Sequence, residues 1–324
     1  MSSPIADLSY RHYEGVLEAP RHRWWAIAKT TMRQAFRKKS MWVASAFSAW
    51  YYLGMVFVLF VLDQISANRS PNTPDPLEAF FGRIVWKDQF LHAFSFGQMI
   101  FLVGSLILGA GAIANDTRAN ALLVYLSKPV TKRDYLLGKW FGVFLPLLMM
   151  MLIPSLVFFL FGLMSYRSRG FVTQDPWLIL KLLAIFPLGA AFHASLTIGF
   201  SSMFNQGRIA GATYAALYFI TNFFTQAMVI AHVSLMGPRS QASEAAKTAL
   251  PIVHQLYYAS IDGLNIGMAK SVLGTAGSPY FGIPSRMPMV PAPPLLPILG
   301  IMILISSLMM FIAWRRIRAV EVVG

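Results

Sequence analysis

Six long blocks almost free of charge govern what this chain can fold into. They are residues 41–62, 92–114, 140–164, 177–203, 209–235 and 295–314. Each is long enough for a helix to cross a hydrocarbon core of about 30 Å. No water is available there to satisfy the backbone, so each block must close its own hydrogen bonds as a helix. The expected fold class is an all-α integral membrane protein with six transmembrane helices. Composition agrees, with 56% of the 324 residues hydrophobic and only 12% charged, against about a quarter charged in soluble domains.

The charges mark the ends of these blocks. Six spans put both termini on one side. The segments sharing that side hold 17 of the 27 Lys and Arg residues, and the other ten, counting Lys181 at the edge of the fourth block, are spread over longer loops that carry acids as well. The positive-inside rule therefore places both termini in the cytoplasm. The net charge of +14 reads as topology and lipid contact rather than nucleic-acid binding. The chain has no cysteine, which excludes disulfides, thiolate metal sites and cysteine nucleophiles. The polar, basic first forty residues show no secretory signal, so the first span is expected to act as its own insertion signal.

Three regions follow: a cytoplasmic N-terminal region at 1–40, the six-helix domain at 41–314 and a basic tail at 315–324. Within the first, residues 24–39 read as an amphipathic helix on the membrane surface. Trp25, Ala28, Met32 and Phe36 recur at helical spacing beside Trp24, and Lys29, Arg33 and Arg37 form a basic stripe. The plainer alternative is a solvated basic tail. The long outer segment, about 236–294, is expected to hold helices resting at or dipping into the outer interface. Its proline-rich second half should be irregular.

The segment 115–139, NDTRANALLVYLSKPVTKRDYLLGK, lies between spans 2 and 3. It offers a short apolar run at Leu122, Leu123, Tyr125 and Leu126, broken by Ser127-Lys128-Pro129. Thr131 and Asp134 then form a capping-box pattern that starts the helix of span 3. An apolar run between charged flanks, away from the bilayer, suits docking of a soluble partner.

From Ile113 to Lys139 the chain resembles type-2 permeases of ATP-binding cassette (ABC) exporters. Asp116 stands where that family has an acid at the end of span 2. Leu126, Ser127, Pro129, Val130, Thr131 and Leu137-Gly138-Lys139 match its later part. Asn120-Ala121 replaces the family's Gly-Thr, and Arg118 stands where a second acid is common. The resemblance implies a permease subunit exporting a substrate across a bacterial cytoplasmic membrane. It implies a coupling helix in this loop, with Asp116, Thr117, Arg118, Leu122, Leu123, Tyr125 and Leu126 at a separate ATPase that supplies ATP and Mg. It also implies a second permease copy or a homologous permease as partner.

No phosphate-binding loop occurs, since Arg133 replaces the first glycine before Gly138-Lys139 and Trp140 follows. The chain itself is expected to hold no cofactor, metal or catalytic site. The spans, as bounded above, contain no Asp or Glu, which argues against an ion-coupled secondary transporter. A membrane scaffold or immunity subunit with the permease fold is the other rival. Lys181 is expected to snorkel outward. His193 reads as a packing histidine, with a pathway-lining role as the sharper alternative. Gly207, Gly211 and Ala215 give span 5 a small-residue face for helix contact, either within the chain or at a dimer seam. Pro146, Pro154 and Pro187 predict kinks.

Overall fold

The computed structural model describes residues 22–68, 70, 73–121, 130–236, 244–278 and 289–317. Among these the chain is all-α. Its helices are α1 (Arg23–Phe36), α2 (Lys39–Ser48), α3 (Trp50–Ala67), α4 (Pro76–Phe81), α5 (Trp86–Gly109), α6 (Ala114–Arg118), α7 (Lys132–Ser165), α8 (Leu178–Met203), α9 (Gly207–Leu235), α10 (Glu244–His254), α11 (Ile261–Leu273) and α12 (Leu295–Arg316). Six are long and apolar enough to cross a membrane: α3, α5 with α6, α7, α8, α9 and α12. Their outward faces carry Trp50, Phe57, Phe223, Ile230, Leu296 and Leu304, all more than half exposed. A skin of that kind is untenable in water and suits hydrocarbon.

Helix boundaries correct the sequence reading in two places. The first block is not one helix. Its start belongs to α2, and the chain breaks at Ala49 before α3. The Ser48 hydroxyl there donates to the Met150 carbonyl of α7, 2.6 Å away, which anchors the break in the core. The second block starts earlier than expected, at Trp86, and so takes in Asp88, 2% exposed. With Asp63 inside α3, the helices do contain acids. The argument against ion coupling from their absence therefore fails. The expected capping box at Thr131 and Asp134 is present, and α7 and α8 run helical through Pro146, Pro154 and Pro187.

Helix α1 lies across the start of α7. The fit depends on glycine: a Cβ at Gly138 would come within 2.6 Å of Ile27, and one at Gly142 within 2.5 Å of Thr31. The buried face is thus Ile27, Ala28 and Ala35, with Trp24 against the ring of Phe141 at 4.9 Å. This corrects the expected stripe, because Trp25 is 42% exposed. The missing side chains of Gly138 and Gly142 on α7 allow the two helices to approach this closely. Lys29, Arg33 and Arg37 are exposed.

The opposite end is closed by α11. Of the two expectations for this segment, resting at the outer interface or dipping into it, its burial fits the second. Nine of its residues, from Ile261 to Leu273, are buried among α5, α8, α9 and α12. Ser260 caps its start by accepting from the Gly263 amide at 3.0 Å. Residues 279–288 of the proline-rich stretch lie outside the described residues. Lys181 reaches back past the start of α8 to pair with Asp175 at 2.7 Å, the direction expected of a snorkelling side chain. Burial against Asp63 pushes the Tyr166 hydroxyl up to about 12.

Candidate functional site

Helix α5 points toward the α1 end of the bundle and α9 away from it, and two cavities open between them. The cavity at the α1 end is about 970 Å³ and is lined by residues 106–108 at the end of α5, by the turn at 110–112 and by one face of residues 206–215 around the start of α9. The one at the α11 end is about 490 Å³ and includes residues 91–99 of α5 and 218–229 of α9. Residues 100–105 of α5 line neither.

The level between the cavities is a polar knot within an aromatic core. His193 of α8, fully buried, has its Nδ1 2.6 Å from the Tyr214 hydroxyl. Its Nε2 is 3.0 Å from Asn265 Nδ2 of α11. Phe101 of α5 stacks on the imidazole at 5.1 Å. The packing role of His193 is therefore the observed one, and it ties α8, α9 and α11 together. Polar groups buried this deeply are costly unless paired.

The α11-end cavity is polar and aromatic. Asp262 accepts from Asn222 Nδ2 at 2.6 Å and from Thr225 at 3.2 Å. Burial pushes its carboxyl up, and these two bonds pull it back down. Lys270 donates to the Val290 carbonyl at 2.7 Å. Burial pushes its ammonium down to about 8, partly offset by Asp88. His232 and His254 meet nearby at 3.0 Å.

At the other end the connection from α5 to α7 has a rigid base. After Gly109 the chain turns, and Ser201 of α8 stitches that turn. Its hydroxyl accepts from the amides of Ile113 and Ala114 at 3.0 and 3.1 Å and donates to the Ala110 carbonyl at 2.9 Å. Asp116 of α6 faces inward. It pairs with Lys139 at 2.7 Å and accepts from the Tyr135 hydroxyl at 2.7 Å. Asn120 then ends α6 with φ 53°. That left-handed conformation is one that glycine or asparagine adopts readily, so Asn120 does here what the expected glycine would do.

The residues singled out from sequence separate accordingly. Asp116 is committed to α7, Thr117 bonds its own helix at the Ile113 carbonyl, and Arg118 is exposed. Leu122, Leu123, Tyr125 and Leu126 lie outside the described residues. Gly207 and Gly211 serve contact within the chain. A Cβ on Gly207 would reach 2.8 Å from the Gly111 backbone, and one on Gly211 3.2 Å from Ala110. Ala215 lines the α1-end cavity. Sequence reasoning missed Ser201, Lys38, Asn265 and Asp262. For Lys139 a signal existed: it and Asp116 are opposite charges at the two roots of one loop.

A family model described as ABC-2 family transporter protein matches residues 25–313. A search of curated proteins gives no match.

Proposed function

The chain belongs to the ABC-2 transporter family, and from that premise we propose that it is the permease half of an exporter powered by a separate ATPase. The observation that carries this reading is the anchored root of the 113–139 connection. Ser201, Asp116 and Lys139 fasten that root to α8 and α7. A force applied to the loop is then delivered to two spanning helices rather than lost in a slack tether. Such a bundle has two arrangements, and nucleotide in the ATPase biases the choice.

In this reading the α1 end faces the cytoplasm, as the excess of Lys and Arg there requires. Lys29, Arg33 and Arg37 contact anionic headgroups, at about 1 kcal/mol each. Leu122, Leu123, Tyr125 and Leu126 dock in the ATPase, with ATP and Mg held by that partner. Two permease copies, in a bacterial inner membrane, frame the pathway along α5 and α9. The scaffold rival lacks any need for two cavities in register on one helix pair.

The test is affinity purification from the native host, with wild type against Leu123→Asp and Tyr125→Asp. Wild type should bring down an ATPase, and the loop variants should lose it while keeping the same size-exclusion profile. A wild-type preparation without ATPase, or variants that retain it in full, overturns the reading.

A further inference from the structure

The α1-end cavity gathers positive charge from four separate parts of the chain. Lys38 precedes α2, Arg118 ends α6, Lys139 lies in the first turns of α7, and Arg208 opens α9. Asp116 is the one acid among the lining residues. Two of the cations are spent internally, Lys38 on the Ile107 carbonyl at the end of α5 and Lys139 on Asp116. Arg118 and Arg208 make no ion pair among the described residues. The start of α9 opens onto the same space, and its cap, Gln206, makes no side-chain bond there. The positive end of a 29-residue helix thus adds to the two guanidinium groups.

Topology alone does not explain this convergence. The positive-inside rule needs cations near helix ends, but not facing one cavity, where they repel each other. Lys29 and Arg33 on α1 satisfy the rule on the outside of the bundle and line no part of the cavity.

We propose that this cavity is a binding site for a phosphate-bearing headgroup, held by Arg118 and Arg208 with the α9 N-terminus behind them. Guanidinium forks match phosphate oxygens in pairs. The cavity lies beside the surface helix α1, so an acyl chain in the adjoining leaflet can reach it. Apolar lining at Leu106 and Ile107 suits the first carbons of such a chain. The inference deepens the transport reading by giving the substrate a chemical class, and it rests on that reading only for its role.

The experiment uses the full-length permease, purified in a neutral detergent, and native mass spectrometry. The probes are phosphatidic acid, diacylglycerol as the uncharged counterpart, and inorganic pyrophosphate as competitor. Phosphatidic acid should bind and diacylglycerol should not. Arg118→Gln with Arg208→Gln should weaken binding by about ten-fold or more, as expected for loss of charge-assisted bonds. Arg315→Gln with Arg316→Gln on α12, equal in charge, at the same end of the bundle and outside the cavity lining, should change it by less than about three-fold. Displacement by pyrophosphate assigns the site to a soluble phosphate anion, and resistance to it assigns a lipid headgroup. Both outcomes support the site.

Equal binding of diacylglycerol overturns it, as does equal loss in both double variants. So does a cavity variant that sheds the ATPase yet keeps its phosphatidic acid, because the arginines then hold the partner. Absence of lipid binding while the ATPase still co-purifies sinks this inference alone. Lipid binding without any ATPase sinks only the transport reading.

Discussion

The two ends of the bundle solve opposite problems with polar groups. At the α1 end the ionic groups are charged and many, and they sit at helix termini around a wide cavity. One ion pair, Asp116 with Lys139, is committed to structure. At the α11 end the polar groups are buried and mostly neutral: Asn265, Ser260, Thr225, Asn222 and the knot at His193. Of the few charges there, Asp88 and Asp262 are buried, and burial presses Asp262 and Lys270 toward their neutral forms. The difference teaches that one end is built to meet charged molecules and the other to hold a helix inside an apolar shell.

The comparison breaks most completely if the ends are assigned to the wrong sides, which is an all-or-none result. The chain has no cysteine, so single introduced thiols report cleanly. Ser168→Cys and Ser278→Cys should react with an impermeant thiol reagent in intact cells, and Ser127→Cys should not. Labelling of Ser127→Cys alone inverts the orientation.

Next in size is the ion pair at the α1 end. Asp116→Ala leaves Lys139 charged, buried and bonded only by its remaining contacts, which should cost about 3–5 kcal/mol. The double change Asp116→Asn with Lys139→Met should recover most of that loss, because the stranded charge is gone. Thermal unfolding in detergent by tryptophan fluorescence measures both. Equal stability of the single variant and wild type refutes a structural role for the pair.

A smaller effect, about 1–3 kcal/mol, is expected from Gly138→Leu. The new side chain must displace α1, since even its Cβ meets Ile27 and the Trp24 carbonyl at 2.6–2.7 Å. Gly300→Leu on α12, where nothing lies within 4 Å of the added Cβ, should be neutral in the same assay. If both variants behave alike, α1 is a loose surface helix rather than a packed one.

The smallest effect sharpens the α11 end. Lys270 falls from its ordinary 10.5 to about 8 in the fold. Below pH 8 both states are protonated and the full burial cost is present. Between about 8 and 10.5 the folded lysine loses its proton while the unfolded one keeps it, so stability should rise with pH. Groups acting on the same region are Asp88, His92, His232 and His254. Lys270→Met should flatten the rise over pH 8–10, read as the change in unfolding midpoint. An unchanged slope assigns the dependence to another group.

Much of the fold was legible in the sequence because membrane spanning is a local property. Each apolar block must satisfy its own backbone, so its length and composition already name it a helix. The capping box at Thr131 and Asp134 was legible for the same reason, being a contact across three residues. The break at Ala49 was not, since it depends on Ser48 reaching Met150, 102 positions away. Asp88 escaped notice because hydropathy alone started the second span at His92. The exposed face of Trp25 escaped because helical spacing gives a stripe but not the groove that receives it.

The sequence by itself determined six spans, the charge bias between the two ends, the basic surface helix and the loop that resembles a coupling element. Each follows from neighbours along the chain: hydropathy over a window, charge near a span, a motif within 27 residues. Only the tertiary structure decided that Asp116 belongs to Lys139, that Ser201 stitches the end of α5, and that α11 is buried among four helices. It alone brought Lys38, Arg118 and Arg208 to one cavity. These are meetings of residues tens to more than a hundred positions apart, and helix packing, which fixes them, leaves no local trace in a sequence.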